Sequence, residues 1–146
     1  MSQQILVCDD EAHIVRAISL KFTRSGFDVR GVSNAESCWR QLNHGELPAL
    51  LIVDDSMPPG ADGSELVRRI RRDGRFQEMP IIMLAAYEFE MNEEQELLTT
   101  FDVAQIVLKP FSPRALMASV CRILGQEFGL QPHLIDHKFD RHTARV

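Results

Sequence analysis

Five short apolar segments alternate with helix-like stretches, and this alternation constrains the fold more than any other feature of the chain. The segments cover residues 5–8, 27–32, 49–54, 80–85 and 105–109. Four of them are continuously hydrophobic rather than alternating, as is typical of parallel strands covered on both faces. Five βα units in this order predict an α/β fold with a flavodoxin-like, doubly wound, five-stranded parallel sheet, strand order 2-1-3-4-5, and five helices.

The stretches between the strands carry helical periodicity and end signals. The first predicted helix, residues 11–25, is followed by Gly26, a residue typical of the position after a helix. Ser33 begins a capping-box pattern and predicts the start of the second helix. Ser112 and Pro113 predict the N-cap and first residue of the fifth helix. The third and fourth helices are predicted over residues 64–73 and 88–100.

Size and charge limit the functions that this chain can have. It has 146 residues, 45% of them hydrophobic, and a formal net charge of −5. The acidic balance argues against direct nucleic-acid binding by this domain, which would normally need a basic surface. No apolar run is close to the length of about 20 residues that is needed to span a bilayer. The N-terminus lacks the basic region of a secretory signal. We expect a domain over residues 1–126 and a C-terminal tail or linker over residues 127–146.

The cysteines indicate the redox compartment. Cys8, Cys38 and Cys121 are odd in number and form no Cys-x-x-Cys pair. Such cysteines are typical of reduced packing residues in a cytoplasmic protein.

Charged residues stand at the carboxyl ends of strands 1, 3 and 5: Asp9, Asp10, Asp54, Asp55 and Lys109. The carboxyl ends of parallel strands meet at one edge of the sheet, beside the point where the winding reverses. Carboxylates that crowd together need a cation to stay ionised, and oxygen ligands on an open site favour Mg²⁺. The sequence therefore predicts a metal pocket with Lys109 as a second positive charge.

The motifs "LVCDDE", "LLIVDDSMPPGADG" and "LKPF" give the chain a resemblance to a known family. Over residues 3–126 it resembles the receiver, or phosphoacceptor, domain of two-component response regulators. Such domains accept a phosphoryl group from a sensor histidine kinase or a phosphotransfer protein, or from a small acyl phosphate, and they bind Mg²⁺.

The resemblance implies a role for each matching residue. Asp54, which is followed by two residues and then by Met57 and proline, would be the phosphoacceptor. Asp9 and Asp10 would be the acidic pair, with Asp10 the direct Mg²⁺ ligand. The Ser56 backbone carbonyl would also bind the metal, together with Asp54. Lys109 would pair with the phosphoryl group, or with Asp54 when that group is absent.

Two positions depart from the family pattern. Ala85 stands where receivers usually carry Ser or Thr, followed by the usual small residue, Ala86, and Ile106 replaces the usual Tyr or Phe. The hydroxyl and the aromatic ring normally act as one switch. We therefore expect that Asp54 is phosphorylated but that the usual route from this switch to helix 4 is altered or absent. A smaller departure is an extra residue in "MPPGADG", with Asp62 as the predicted N-cap of helix 3.

Two other classes of function stay open. One is a pseudo-receiver, a protein-interaction module regulated without phosphorylation, which the departures at Ala85 and Ile106 favour. The other is an aspartate-nucleophile phosphatase, but "DDSMPP" lacks the Asp-x-Asp motif of such enzymes. We expect no enzyme activity beyond self-phosphorylation and slow loss of that phosphate. The output could be a downstream protein, or a domain missing from these 146 residues.

Three further patterns carry weaker expectations. The arginines of helix 3 are typical of a solvated face, but with the glutamates of helix 4 they could support a homodimer. Tyr87 lies where receivers tune the loss of the phosphoryl group, so a bulky side chain there would slow hydrolysis. The histidines of the tail are typical of solvated residues rather than of a metal site. These histidines are His133, His137 and His142.

Overall fold

A computed structural model describes residues 3–57, 62–86 and 90–126 of the chain. Strands and helices alternate along these residues. The strands are β1 (Gln4–Cys8), β2 (Asp28–Val32), β3 (Leu50–Asp54), β4 (Ile81–Ala85) and β5 (Gln105–Leu108). The helices are α1 (Ala12–Arg24), α2 (Ala35–His44), α3 (Gly63–Arg72), α4 (Met91–Thr99) and α5 (Pro113–Leu124).

The described strands form one parallel sheet in the order β2-β1-β3-β4-β5, which confirms the predicted winding. The central strand β3 is buried along its whole length because helices cover both faces of the sheet. Its residue Ile52 lies opposite Val7 of β1 and Ile82 of β4. This register places the ends of β1 and β3 side by side at the carboxyl edge.

Each face of the sheet has its own apolar core. On one face, α1 and α5 bury Ile18, Phe22 and Val120 against Ile52 and its neighbours. The opposite face packs α2, α3 and α4 onto the sheet, and this second core is formed mainly by the following buried residues: Leu6, Cys38, Leu42, Leu51, Leu66, Val67, Ile70, Met83 and Leu97. Cys8, Cys38 and Cys121 are free and buried, as predicted.

The helix ends follow the sequence signals with one correction. Gly26 has a positive φ of 99° after α1, Asp62 accepts a hydrogen bond from the Glu65 amide, and Ser112 caps α5. The predicted cap of α2 at Ser33 is wrong. Asn34 caps the helix through its side chain, 2.7 Å from the Ser37 amide, because β2 continues to Val32 and the chain turns one residue later.

The edge strands are less buried than the central ones. Residues of β5 are at most partly covered, and Leu108 is 42% exposed, because this strand pairs only with β4. The predicted coverage of β5 is therefore only partial, with Ile106 against the core on one face and Val107 against the core on the other, and its parallel pairing is as predicted. Within the described residues, no helix is long and apolar enough to cross a membrane.

Two predictions about loops and helix starts fall partly outside the description. Helix α4 begins at Met91 rather than at residue 88, and residues 87–89, including Tyr87, lie outside the described residues. So do residues 58–61 of the loop after β3, and residues 127–146 with the histidines of the tail.

Candidate functional site

The carboxyl edge of the sheet brings the predicted charged residues together. Cys8 of β1 pairs with Val53 of β3. Asp9, which follows β1, therefore lies beside Asp54, which ends β3, and Lys109 follows β5. The Lys109 Nζ lies 3.1 Å from Asp9 Oδ2 and 3.2 Å from Asp54 Oδ1. It also donates a hydrogen bond to Glu11 Oε1 at 2.7 Å. One ammonium therefore contacts the carboxylates that follow β1 and the carboxylate that ends β3.

Burial makes this arrangement electrostatically costly for Asp54. The residue is only 3% exposed, and burial raises its pKa to about 6, with the Asp9 charge adding to the effect. The Lys109 charge and a hydrogen bond from the Ser56 backbone act in the opposite direction. Around neutral pH the carboxylate form still predominates, held against an unfavourable environment by the lysine.

Lys109 is the complementary charge. Burial opposes its ionisation, but the hydrogen bond to Glu11 and the charges of Asp9 and Asp54 outweigh that effect and raise its pKa. Glu11, whose hydrogen bond to Lys109 lowers its own pKa, shares the same ammonium. The lysine is therefore a permanent cation, fixed by carboxylates that approach it from several directions.

The carboxylates also form a group with the chemistry of a metal site. One oxygen from each of Asp9, Asp10, Glu11 and Asp54 lies within 4.8 Å of the others. Asp9 is almost fully buried, and its Oδ2 has no hydrogen-bond partner among the described residues, although Lys109 is near. Asp10 is exposed at the mouth of the pocket. An oxygen-only donor set that is open to solvent on one side fits a hard divalent cation such as Mg²⁺.

The neighbouring Asp55 belongs to a different environment. Its Oδ1 accepts a hydrogen bond from the Ser64 hydroxyl at 2.9 Å, and its backbone oxygen accepts one from the Gly63 amide at 2.6 Å. Burial raises the pKa of Asp55. The side chain is thus tied to the start of α3, while Asp54 faces Lys109.

The remaining predicted positions surround this pocket. Ser56 is exposed, two residues after the end of β3. Ala85 is fully buried, and its carbonyl accepts a hydrogen bond from the Lys109 amide at 2.8 Å. Ala86 is exposed and lines a cavity of about 450 Å³ beside Lys109. Ile106 is partly buried opposite Met83 and packs against the core under α4.

Two residues of the site were not predicted from the sequence. Glu11 follows the acidic pair, so the run of acids was a visible signal, but its reach to Lys109 depends on the tertiary fold. Gly63 is required by close approach, since a Cβ at that position would overlap the carbonyl oxygen of Asp54. A glycine just before a predicted helix was the only signal for it.

The arginines of α3 are largely committed within the chain. Arg68 contacts Glu96 at 3.1 Å and Glu93 at 3.8 Å on α4. Arg71 donates to backbone oxygens of Phe76, Phe101 and Asp102. Part of the charge complementarity that suggested a homodimer is thus used between α3 and α4 of one chain.

Comparison with known proteins identifies the family. The model of the response regulator receiver domain matches residues 5–121. The chain belongs to this family. Curated receiver-domain relatives include the response regulator Rre1 of Synechocystis, 33% identical over 124 residues, covering 84% of this chain and 52% of Rre1. The phosphate regulon transcriptional regulatory protein PhoB of Pseudomonas aeruginosa is 35% identical, covering 85% of this chain and 52% of PhoB.

Solved receiver structures have the same architecture. A response regulator receiver protein from Pseudomonas putida is 28% identical with a TM-score of 0.74, covering 82% of this chain and 96% of that one. The chemotaxis protein CheY4 of Vibrio cholerae, at 23% identity, shows the fold with a TM-score of 0.74, covering 84% and 99%. The chain spans about half the length of the curated relatives that it matches.

Proposed function

We propose that this receiver domain accepts a phosphoryl group on Asp54 from the phosphohistidine of a sensor histidine kinase or of a phosphotransfer protein. One observation carries the proposal: Asp54 is buried at the end of β3, 3.2 Å from the Lys109 ammonium, inside the carboxylate group that suits a divalent cation. Family membership supports the same reaction class.

Asp54 acts as the nucleophile in this proposal. One of its oxygens attacks the phosphorus, the new O–P bond forms as the N–P bond to the donor imidazole breaks, and the bonding electrons return to the imidazole nitrogen. Lys109 neutralises charge on the phosphoryl oxygens and keeps Asp54 oriented, because its ammonium already lies 3.2 Å away. A bound Mg²⁺, held by Asp9, Asp10, Asp54 and the Ser56 carbonyl, would supply charge neutralisation on the transferring group.

The conformational response is proposed to be atypical. Ala85 has no hydroxyl to bond a phosphate oxygen, and Ile106 is already packed against the core. The usual coupled movement of a hydroxyl and a ring to α4 is therefore altered or absent. NMR spectra with and without beryllofluoride test this idea, because large shifts at Ala85 and Ile106 together with a repacked α4 would contradict it.

The principal experiment is incubation with acetyl phosphate and Mg²⁺, followed by mass spectrometry of the intact protein. We expect one added phosphoryl group on the wild type and none on Asp54→Asn. The matched control is Asp55→Asn, which changes the adjacent carboxyl that Ser64 holds and should retain labelling. Labelling of Asp54→Asn, or no labelling of the wild type, would contradict the proposal and favour a pseudo-receiver that acts by protein contacts alone.

The wider role rests on the family. We propose that a downstream protein or an output domain reads the modified state, since the curated relatives are about twice as long as the matched region. Receiver domains are generally not true enzymes, so turnover is limited to self-phosphorylation and slow dephosphorylation. Free buried cysteines support a cytoplasmic location. Three expectations stay predictions: a domain boundary at residue 126, direct metal ligation by Asp10, and a homodimer.

A further inference from the structure

Glu11 occupies a helix cap position but does not serve as a cap. It is the residue before α1, and its side chain makes no capping hydrogen bond with the described residues. Instead, its Oε1 lies 2.7 Å from Lys109 Nζ, across 98 positions of sequence. This contact is shorter than the distances from the same nitrogen to Asp9 and Asp54, 3.1 and 3.2 Å.

The contact with Glu11 occupies an N–H donor of Lys109 that a phosphoryl group would need. A lysine ammonium has three N–H donors, and those of Lys109 face Glu11, Asp9 and Asp54. A phosphoryl group on Asp54 places new acceptor oxygens beside the same nitrogen. The donor that faces Asp54 can pass to one phosphoryl oxygen, and a bond to a second phosphoryl oxygen requires the contact with Glu11 or Asp9 to lengthen.

Solvent exposure indicates which contact is released. The side chains of Asp9 and Asp54 are 0% and 4% exposed, whereas that of Glu11 is 45% exposed. A buried carboxylate that loses its cation is left without compensation, but an exposed one is solvated by water. His13, whose Nε2 lies 4.0 Å from Glu11 Oε2, offers a second polar neighbour on the solvent side.

We propose that Glu11 is a positioning residue that holds the Lys109 ammonium at rest and yields it to the phosphoryl group, and that it thereby slows phosphorylation of Asp54. The inference rests on the proposed phosphoacceptor function. Glu11 has a second effect in the same direction, because its negative charge near the ammonium opposes the approach of an anionic donor.

The competing role for Glu11 is that of a metal ligand, since its carboxylate lies within the group that suits a cation. The two roles predict opposite results. Removal of a ligand weakens Mg²⁺ binding and slows labelling, whereas removal of a competitor for Lys109 accelerates labelling and leaves the Mg²⁺ requirement nearly unchanged.

The test compares the wild type with Glu11→Gln, which keeps the size of the side chain and removes its charge. The matched control is Glu46→Gln, an exposed glutamate in the loop before β3, at the amino edge of the sheet, with no partner among the described residues. The initial rate of labelling by acetyl phosphate is measured by mass spectrometry over a range of Mg²⁺ concentrations, and thermal unfolding is recorded for each variant.

We expect Glu11→Gln to be labelled about three to ten times faster than the wild type, as removal of one charge near the site implies. The half-saturating Mg²⁺ concentration should change by less than about threefold, and Glu46→Gln should behave as the wild type. A faster reaction is not a result that structural damage would produce, so it separates a positioning role from a merely structural one.

Several results would overturn the inference. An unchanged or slower rate in Glu11→Gln would do so, as would an equal acceleration in Glu46→Gln. A larger loss of Mg²⁺ affinity would assign Glu11 to the metal instead. If the wild type itself is not labelled, the proposed function fails and the inference fails with it, whereas a labelled wild type with an unaccelerated Glu11→Gln overturns the inference alone.

Discussion

Two ionic clusters of the molecule each combine one cation with three carboxylates, but their surroundings differ. In the part of the chain that the structure describes, Lys109 lies within 4.0 Å of three carboxylates, those of Asp9, Glu11 and Asp54. Arg68, on α3, likewise has three carboxylate neighbours at 3.1 to 3.9 Å within the described ranges. These neighbours are Glu65, Glu93 and Glu96. We call the two groups the Lys109 cluster and the Arg68 cluster.

Burial of the acids separates the two clusters. In the Lys109 cluster, the side chains of Asp9 and Asp54 are 0% and 4% exposed. The glutamates of the Arg68 cluster are 39% to 68% exposed. Charges that water can reach contribute little when paired, whereas charges removed from water depend on their partner. The number of ion pairs is therefore a poor guide to what a cluster does, and the exposure of its carboxylates is a better one.

The largest expected effect is on labelling after removal of the Lys109 ammonium, the partly buried cation of the Lys109 cluster. We expect Lys109→Ala to be labelled by acetyl phosphate at least about 100 times more slowly, because removal of one preorganised donor from a transition state commonly has that effect. Arg68→Ala is the matched change in the exposed cluster and should keep the wild-type rate. A Lys109→Ala protein that is labelled within tenfold of the wild type would contradict this account of the Lys109 cluster.

The second prediction concerns stability and its dependence on pH. Burial raises the pKa of Asp54 to about 6, so the folded state binds the Asp54 proton more tightly than the unfolded state does. This group therefore makes the folded wild type less stable as pH rises from about 4 to about 6. Asp54→Asn should be more stable than the wild type by about 2 to 3 kcal/mol at pH 7.5.

The gain in stability should fall below about 1 kcal/mol at pH 4, where the carboxyl is protonated in the folded state and about half protonated in the unfolded state. Urea unfolding of both proteins at the two pH values measures it. Glu96→Gln, the matched change in the Arg68 cluster, should alter the free energy of unfolding by less than about 1 kcal/mol at pH 7.5. Equal stability of Asp54→Asn and wild type at pH 7.5 would show that Asp54 is not electrostatically strained.

The smallest expected effect is in the exposed cluster itself. We expect Arg68→Ala to reduce the free energy of unfolding by about 1 kcal/mol or less, and the loss should shrink in 1 M NaCl. Part of it should persist in salt, because the Arg68 guanidinium also lies 5.7 Å from the centre of the Phe101 ring. Arg40→Ala, which breaks an exposed pair with Glu36 at 4.0 Å on α2, is the control. A salt-independent loss well above 1 kcal/mol would remove the distinction between the clusters.

The sequence predicts features that depend on the position of a residue along its strand. The continuous apolar segments identify β1, β3 and β4, and parallel pairing then requires Asp9, Asp54 and Lys109 to reach one edge. This part needed only the periodicity and the rules of winding. The convergence of these side chains was therefore predictable without knowledge of any side-chain conformation.

The features that the sequence could not predict depend on the direction of side chains and on how closely backbone segments approach one another. Glu11 could have capped α1 but turns to Lys109, because a full positive charge that is partly shielded from water attracts a carboxylate more strongly than a helix end does. Asn34 displaced Ser33 as the cap of α2 because the end of β2 fixes where the chain turns. The lower burial of β5 follows from its place at the edge, which a run of apolar residues does not reveal.

The contact between Gly63 and the carbonyl of Asp54 has a consequence for the interpretation of saturation mutagenesis. Position 63 should tolerate hydrogen alone as a side chain, because any larger group meets the backbone of the acceptor residue. In a screen for signalling it would score as severely as Asp54 itself, although it offers no reactive atom. Intolerance at this position reflects a steric clash with the backbone of Asp54 and not a loss of chemistry. A second assay, for folding, is needed to tell the two residues apart.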